Sequence, residues 1–201
     1  MIGVIEYGAG NVGSVLKALG HLGAEARICR TPAELAGAER IVLPGVGAFG
    51  EAVENLTRTG LGDAVREALD SGKPYLGICL GLQLLFEGSE ESSDSPGLGV
   101  FPGRVRRFVA EPGLKVPHMG WSRLAPADGV RLFDGLDDER YVYFLHSYYL
   151  GTPERDLVSA TAEHGVVFDA AVEHDNVFAV QFHPEKSGRV GLTMLRNFLE
   201  A

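Results

Sequence analysis

The 201-residue sequence is poor in cysteine, in positive charge and in long apolar runs. Its two cysteines, Cys29 and Cys79, do not make the disulfide framework of a small secreted fold, so we expect free thiols in a reducing cytoplasm. Lysine and arginine total 18 against 27 acidic residues, and the net charge of −9 argues against a nucleic-acid partner. No apolar run is long enough to span a membrane, and the first residues lack the pattern of a signal peptide.

What the sequence does have is an alternation of short apolar runs with helix-compatible segments in its first half. Strands are predicted at residues 2–7, 24–29, 41–43 and 75–79, and helices at 11–22, 49–71 (interrupted near Gly60) and 80–86. This order predicts an α/β fold with a mostly parallel central sheet and helices on both faces.

The second half has a different pattern. Residues 87–99 are polar and are predicted to form a surface loop. Short strands are predicted at 104–108, 141–145, 157–160 and 170–172, followed by a strand at 177–182 and a helix at 188–199. The four short strands predict a small antiparallel extension of the sheet. Because the sequence shows no repeat and is short for two cores, we expect one domain, 1–201.

The strongest local motif is Gly77-Ile78-Cys79-Leu80-Gly81. A nucleophile with glycines two positions before and after it, between a strand and a helix, fits a nucleophile elbow. The N-terminus of the following helix would stabilise a thiolate and offer N–H groups to an oxyanion. A cysteine taken alone is more often a buried structural residue, but this context favours Cys79 as a catalytic nucleophile.

The second motif is His183-Pro184-Glu185, directly after the strand predicted at 177–182. In extended backbone, which proline favours in the preceding residue, His183 and Glu185 share one side of the chain. A carboxylate there could fix the imidazole tautomer and stabilise an imidazolium, as a catalytic triad requires. A surface histidine and glutamate at a turn is the alternative if the motif stands alone.

Two glycine-rich turns follow predicted strands. The turn Pro44-Gly45-Val46-Gly47 could supply a backbone donor near Val46 and Gly47 to an oxyanion hole, together with the N–H of Leu80. The turn over 8–13 fits the dinucleotide pattern G-x-G-x-x-G, but the next strand ends in Arg30 instead of the acidic residue expected about 20 positions on. An arginine could bind a 2′-phosphate. Two interpretations of this turn therefore remain: a nucleotide-binding module, or a tight turn at a functional edge. The histidines form no metal-binding pattern, and we expect no metal or cofactor.

The two catalytic motifs together resemble the class I (triad) glutamine amidotransferases. Further segments resemble one branch of that family, the glutaminase subunits of imidazole glycerol phosphate synthases, and the similarity spans essentially the whole chain. These segments are Tyr7-Gly8-Ala9-Gly10-Asn11, Pro44-Gly45-Val46-Gly47-Ala48-Phe49, Cys79 to Glu87, His118-Met119-Gly120-Trp121 and His146-Ser147-Tyr148.

The resemblance implies a chemistry, a substrate and a partner. Cys79, His183 and Glu185 would hydrolyse L-glutamine, and the ammonia would pass to a (β/α)₈-barrel cyclase in a heterodimer that makes imidazole glycerol phosphate and aminoimidazole carboxamide ribotide. It places the substrate on Gly47, Gln83, Glu91, His146, Ser147 and Tyr148, and the partner face near Asn11 and Trp121. Two alternatives stay open: the glutaminase of another synthase or a small hydrolase with the same elbow, and the nucleotide-binding module.

Overall fold

The computed structural model describes residues 1–8, 10–110, 112–137 and 140–201 of the chain. The helices in those residues are α1 (Val12–His21), α2 (Pro32–Ala36), α3 (Phe49–Thr59), α4 (Leu61–Asp70), α5 (Leu80–Gln83) and α6 (Gly188–Glu200). The strands are β1 (Ile2–Ile5), β2 (Ala26–Cys29), β3 (Arg40–Gly45), β4 (Tyr75–Cys79), β5 (Gly88–Ser89), β6 (Ser92–Pro96), β7 (Arg104–Arg107), β8 (His118–Arg123), β9 (Ala125–Pro126), β10 (Tyr141–His146), β11 (Tyr148–Gly151), β12 (Val158–His164), β13 (Val166–His174) and β14 (Val177–Val180). None of these helices combines the length and the apolar character that crossing a membrane would require.

A twelve-stranded sheet forms the centre of the molecule. Five neighbouring strands are parallel, in the order β2-β1-β3-β4-β14. The sheet then continues antiparallel through β13, β11 and β7, with β5, β6, β9 and β12 at its margins. Strands β8 and β10 pair separately as an antiparallel ribbon. The predicted mostly parallel sheet with an antiparallel extension is confirmed.

Two hydrophobic cores cover the two faces of the sheet. One core receives Val15 and Leu19 from α1 and Leu195 from α6. The other receives Leu56 from α3 and Val65 from α4. Strands β1, β4 and β14 are consequently buried at every residue, which explains why the sequence shows them as continuous apolar runs without alternation. Because these strands are parallel, their carboxyl ends lie at one edge of the sheet, where the candidate site lies.

Two predictions are wrong in the segment after Cys79. The helix predicted over 80–86 ends at Gln83, because the carbonyls of Leu84, Leu85 and Phe86 accept hydrogen bonds from backbone N–H groups of residues 98–101. The surface loop predicted over 87–99 contains β5 and β6, which pair with each other, while β5 also pairs with β7. Polar residues form strands here because the pairing lies at a sheet margin, where one side of a strand faces water.

Candidate active site

Cys79 lies on a sharp turn between β4 and α5. Its φ and ψ angles are 56° and −106°, a region that residues with a side chain rarely adopt and that tends to occur at functional sites. The flanking backbones approach closely: a Cβ added at Gly77 would lie 2.6 Å from the carbonyl oxygen of Gly81, and one added at Gly81 would overlap the carbonyl oxygen of Leu43. The two glycines are therefore required by space, as the elbow motif predicts.

The thiol of Cys79 is buried and has a fixed polar neighbour. The amide Nε2 of Gln181 donates to its Sγ at 3.6 Å. The Oε1 of Gln181 accepts from Nε2 of Gln83 at 2.9 Å, and the same Nε2 lies 3.2 Å from the carbonyl oxygen of Tyr148. Because each amide is oriented by the next, the amide donor that faces the sulfur is held in place, and it suits a thiolate.

His183 and Glu185 form a buried pair behind Cys79. Their side chains are 2% and 1% exposed, and Nδ1 of His183 lies 2.9 Å from Oε1 of Glu185. The amide of Asn11 also donates to that Oε1, at 3.2 Å. Burial alone would lower the pKa of His183, but its interactions with the nearby Cys79 and Glu185 raise this pKa to about 10. The arrangement favours an imidazolium at His183, oriented by a carboxylate.

A cavity of about 290 Å³ opens in front of the thiol. It brings together every residue predicted for the oxyanion hole and for the substrate. These are Val46, Gly47, Leu80, Gln83, Glu91, His146, Ser147 and Tyr148, and Cys79, Pro117 and Leu145 complete the lining. A cavity of this size with a nucleophile and few polar groups is typical of a small-molecule site. Gly47 has a φ of +102°, which glycine adopts without strain.

Glu91 places a carboxylate in this cavity. Its Oε2 accepts a hydrogen bond from the backbone N–H of Phe49 at 2.8 Å, which fixes the side chain at the start of α3. A carboxylate held this way can bind the ammonium group of an amino acid through charge-assisted hydrogen bonds.

The two residues predicted for the partner face lie outside the cavity. Trp121 is 55% exposed on β8, next to Met119 at 63%, so the outward side of this strand carries large apolar groups. Asn11 precedes α1 and bonds Glu185, which the sequence prediction did not include. The predicted partner turn also contains Ala9, which lies outside the described residues.

Gln181 is a site residue that the sequence analysis did not single out. It stands two positions before His183 after a strand, and residues two apart in extended backbone share a side. That spacing was the available signal, and the structure shows its result as the amide contact with Cys79.

A fold and a site of this kind occur in a known family. The family model described as "Glutamine amidotransferase class-I" matches residues 3–201. A solved structure titled "Crystal structure of glutamine amidotransferase" aligns with a TM-score of 0.79 over 99% of this chain and 97% of that one, at 23% identity, and so supports the fold.

Relatives with greater sequence similarity identify the branch of this family. The imidazole glycerol phosphate synthase subunit HisH of Desulfitobacterium hafniense (strain DSM 10664 / DCB-2) is 50% identical over 98% of this chain and 93% of the relative. The HisH subunit of Methanothermobacter thermautotrophicus is 49% identical over 100% of this chain and 98% of the relative. The chain belongs to the class I glutamine amidotransferases, in the branch of the HisH subunits of imidazole glycerol phosphate synthase. This membership favours acyl-transfer chemistry over the dinucleotide site that the 8–13 pattern also fits.

Proposed function

We propose that this chain is the glutaminase subunit of an imidazole glycerol phosphate synthase, which hydrolyses glutamine and delivers ammonia to a cyclase subunit in histidine biosynthesis. The observation that carries the proposal is the position of Cys79 between a buried His183–Glu185 pair and a cavity lined by all the predicted substrate residues. The family match over 3–201 supports one amidotransferase domain over the whole chain, and the two free cysteines fit a reducing cytoplasm.

The geometry supports covalent acyl transfer. The Cys79 thiolate attacks the side-chain carboxamide carbon of glutamine, and backbone N–H groups near Val46 and Gly47 and at Leu80 hold the oxyanion. The His183 imidazolium gives its proton to the departing ammonia, which leaves a γ-glutamyl thioester. Neutral His183 then takes a proton from water, whose oxygen attacks the thioester and releases glutamate and the thiolate.

Substrate binding would use the polar groups that line the cavity. The Glu91 carboxylate would take the α-ammonium of glutamine, and the backbone of residues 146–148 and the Gln83 side chain would hold the rest of the amino-acid end. The side-chain carboxamide of glutamine would then point at Cys79, which lines the same cavity.

The docking surface for a (β/α)₈-barrel cyclase would include the outward side of β8. Met119 and Trp121 are exposed and supply apolar contact area. Exposing this area does not stabilise a monomer, whereas burying it against a partner would stabilise a complex. Trp121 packs edge-on against Tyr143, with ring centroids 6.1 Å apart, and the carbonyl of Tyr143 accepts the backbone N–H of His183. Tyr143 thus connects the proposed surface to the triad residue His183, so the ammonia would have a short path to the cyclase.

Docking can also control the oxyanion hole. The positive φ of Gly47 and the open space around its Cα allow the 46–47 peptide to reorient. Loss of one oxyanion donor costs roughly 10²–10³ in rate. We therefore expect little glutaminase activity from the isolated chain and a large rise with the ligand-bound cyclase, whereas equal rates would contradict this control.

The deciding experiment replaces Cys79 with alanine and assays the complex with the cyclase that copurifies with the chain. Glutamine-dependent synthesis should fall to background, while synthesis with ammonium salt should persist, because the cyclase then receives ammonia from solution. Survival of the glutamine reaction, or loss of both reactions in an intact complex, would refute the proposal. Stimulation by the cyclase of a different synthase would instead favour another pathway's glutaminase.

A further inference from the structure

Three histidine rings are stacked and bonded beside the cavity. His118 and His146 are paired at the end of the β8–β10 ribbon, with Nδ1 of His118 3.0 Å from Nε2 of His146. His164 stacks on His118 with ring centroids 4.2 Å apart and planes 15° apart. Of the three, only His146 lines the cavity. His118 is buried behind it, 4% exposed, and touches neither the cavity nor the triad in the hydrogen bonds of the described residues.

The hydrogen bonds fix the tautomer of each ring in turn. The carbonyl oxygen of Tyr148 can only accept, so Nδ1 of His146, 2.8 Å away, carries a proton. Nε2 of neutral His146 then accepts, and Nδ1 of His118 must donate to it. Nε2 of His118 accepts in its turn from the hydroxyl of Ser122, 2.9 Å away. The chain therefore runs in one direction, from Ser122 through both rings to the backbone of Tyr148.

Both rings are neutral in the folded protein. Burial is the first cause that lowers the pKa of His146 to about 3 and that of His118 to about 4, and neighbouring imidazoles lower both further. In the neutral form every ring nitrogen of the pair has a hydrogen-bond partner.

These contacts change the role expected of His146. Both of its ring nitrogens are engaged, Nδ1 with Tyr148 and Nε2 with His118, so neither remains for glutamine. What His146 contributes to the cavity is the placement of its own backbone and that of the two following residues. The carbonyl of Tyr148 also receives the Gln83 amide, whose other partner, Gln181, contacts the thiol.

We propose that His118 is a positioning residue for glutamine binding: through its hydrogen bond to His146 it holds the 146–148 segment in the geometry that receives the substrate. The inference rests on the proposed glutaminase function. It requires the hydrogen bond, and not the ring packing of His118, to set the affinity for glutamine.

Two substitutions separate the hydrogen bond from the packing. His118→Phe keeps a flat ring that can stack on Phe144 and His164 but removes the donor to His146. His118→Asn loses the stacking, while its amide N–H can occupy the position of Nδ1 and donate. In the complex with the cyclase, we expect His118→Phe to raise the KM for glutamine about ten-fold, because His146 without its donor no longer holds the 146–148 segment in its binding geometry, with kcat within about two-fold. His118→Asn should return KM to within about three-fold of the parent.

The controls distinguish the possible failures. Alkylation of Cys79 by iodoacetamide should proceed at the parent rate in both variants, and His164→Phe, which keeps a ring stacked on His118, should leave KM unchanged. If Cys79→Ala retains glutaminase activity, the proposed function fails. If Cys79→Ala is inactive but His118→Phe has the parent KM, or His118→Asn binds glutamine less well than His118→Phe, the inference alone is overturned. Slower alkylation would place the effect on the thiol and would also overturn it.

Discussion

The two walls of the cavity are built by different forces. The first wall, Val46–Gly47 and Cys79–Leu80, follows β3 and β4 and is held by close backbone packing around glycines. The second wall, residues 146–148, follows β10 and is held by side-chain hydrogen bonds through His118, Gln83 and Gln181. At Gly77 and Gly81, which support the first wall, there is no space for an added atom, whereas the second wall depends on donors, acceptors and protonation. Substitutions that add volume should therefore damage the first wall, and changes of hydrogen bonding or pH should damage the second.

The largest effect should come from removing the negative charge of Glu185, which lies behind the first wall. In Glu185→Gln the amide can still reach Nδ1 of His183, but the substitution removes the negative charge that favours imidazolium. The amide can also present an N–H to the ring, which would fix the wrong tautomer. The same change costs about 10⁴ in kcat in a serine triad, and we expect a loss of that order in glutaminase kcat of the complex.

Glu173→Gln is the matched control for this loss. Glu173 forms an ion pair with Arg131 at 2.8 Å and does not line the cavity. Its glutaminase kcat should stay within about two-fold of the parent. A near-parent kcat for Glu185→Gln would remove the third member from the proposed triad.

An added methyl group tests the packing of the first wall. In Gly81→Ala the new Cβ would overlap the backbone carbonyl of Leu43, which cannot rotate away as a side chain would. The elbow or β3 must shift, at a cost of about 3 kcal/mol in the free energy of unfolding, the upper part of the range for overpacked cores. Urea unfolding followed by circular dichroism measures this change.

Gly20→Ala is the control for adding a methyl group. Gly20 lies in α1, and a Cβ added there would have nothing within 4 Å, so alanine should stabilise the chain by about 0.5–1 kcal/mol through helix propensity. Equal stabilities for the two variants would show that the elbow tolerates a side chain at Gly81 and would contradict the packing argument.

The first wall could be predicted from the sequence because its determinants are local. Glycines two positions from Cys79, a strand before it and Pro44-Gly45 after another strand define the turn within a few residues. The interruption of the helix near Gly60 is confirmed for the same reason: Gly60 lies between α3 and α4 with a left-handed backbone.

The second wall could not be derived from local pattern, and its residues came from family resemblance. Strand β8 pairs with β10 from about twenty residues away, so no hydrophobic alternation within 118–123 reveals it. The end of α5 at Gln83 likewise depends on N–H groups of 98–101. The link between His118 and His146 is a tertiary contact that spacing alone cannot show.

The smallest effect, and the one most specific to the second wall, is on stability at mildly acid pH. Unfolded histidines take up a proton near pH 6.5, whereas folded His118 and His146 do so only at about 4 and about 3. Between pH 6.5 and 4 the unfolded chain binds more protons, so this pair lowers stability as the pH falls. His183 acts with the opposite sign: its raised pKa contributes stability that is complete below pH 6.5 and is lost as the pH rises towards 10.

His118→Phe removes one of the two acid-sensitive rings. The free energy of unfolding in urea, measured from pH 7 to pH 4.5, should therefore fall less steeply in this variant than in the parent, even though the variant is less stable at pH 7 because His146 has lost its donor. His21→Ala, which removes an exposed imidazole that touches neither ring, should keep the steep slope of the parent. Parallel curves for the parent and His118→Phe would mean that His118 takes up a proton as readily in the folded protein as in the unfolded chain. The proposed neutral, one-directional chain of hydrogen bonds in the second wall would then be wrong.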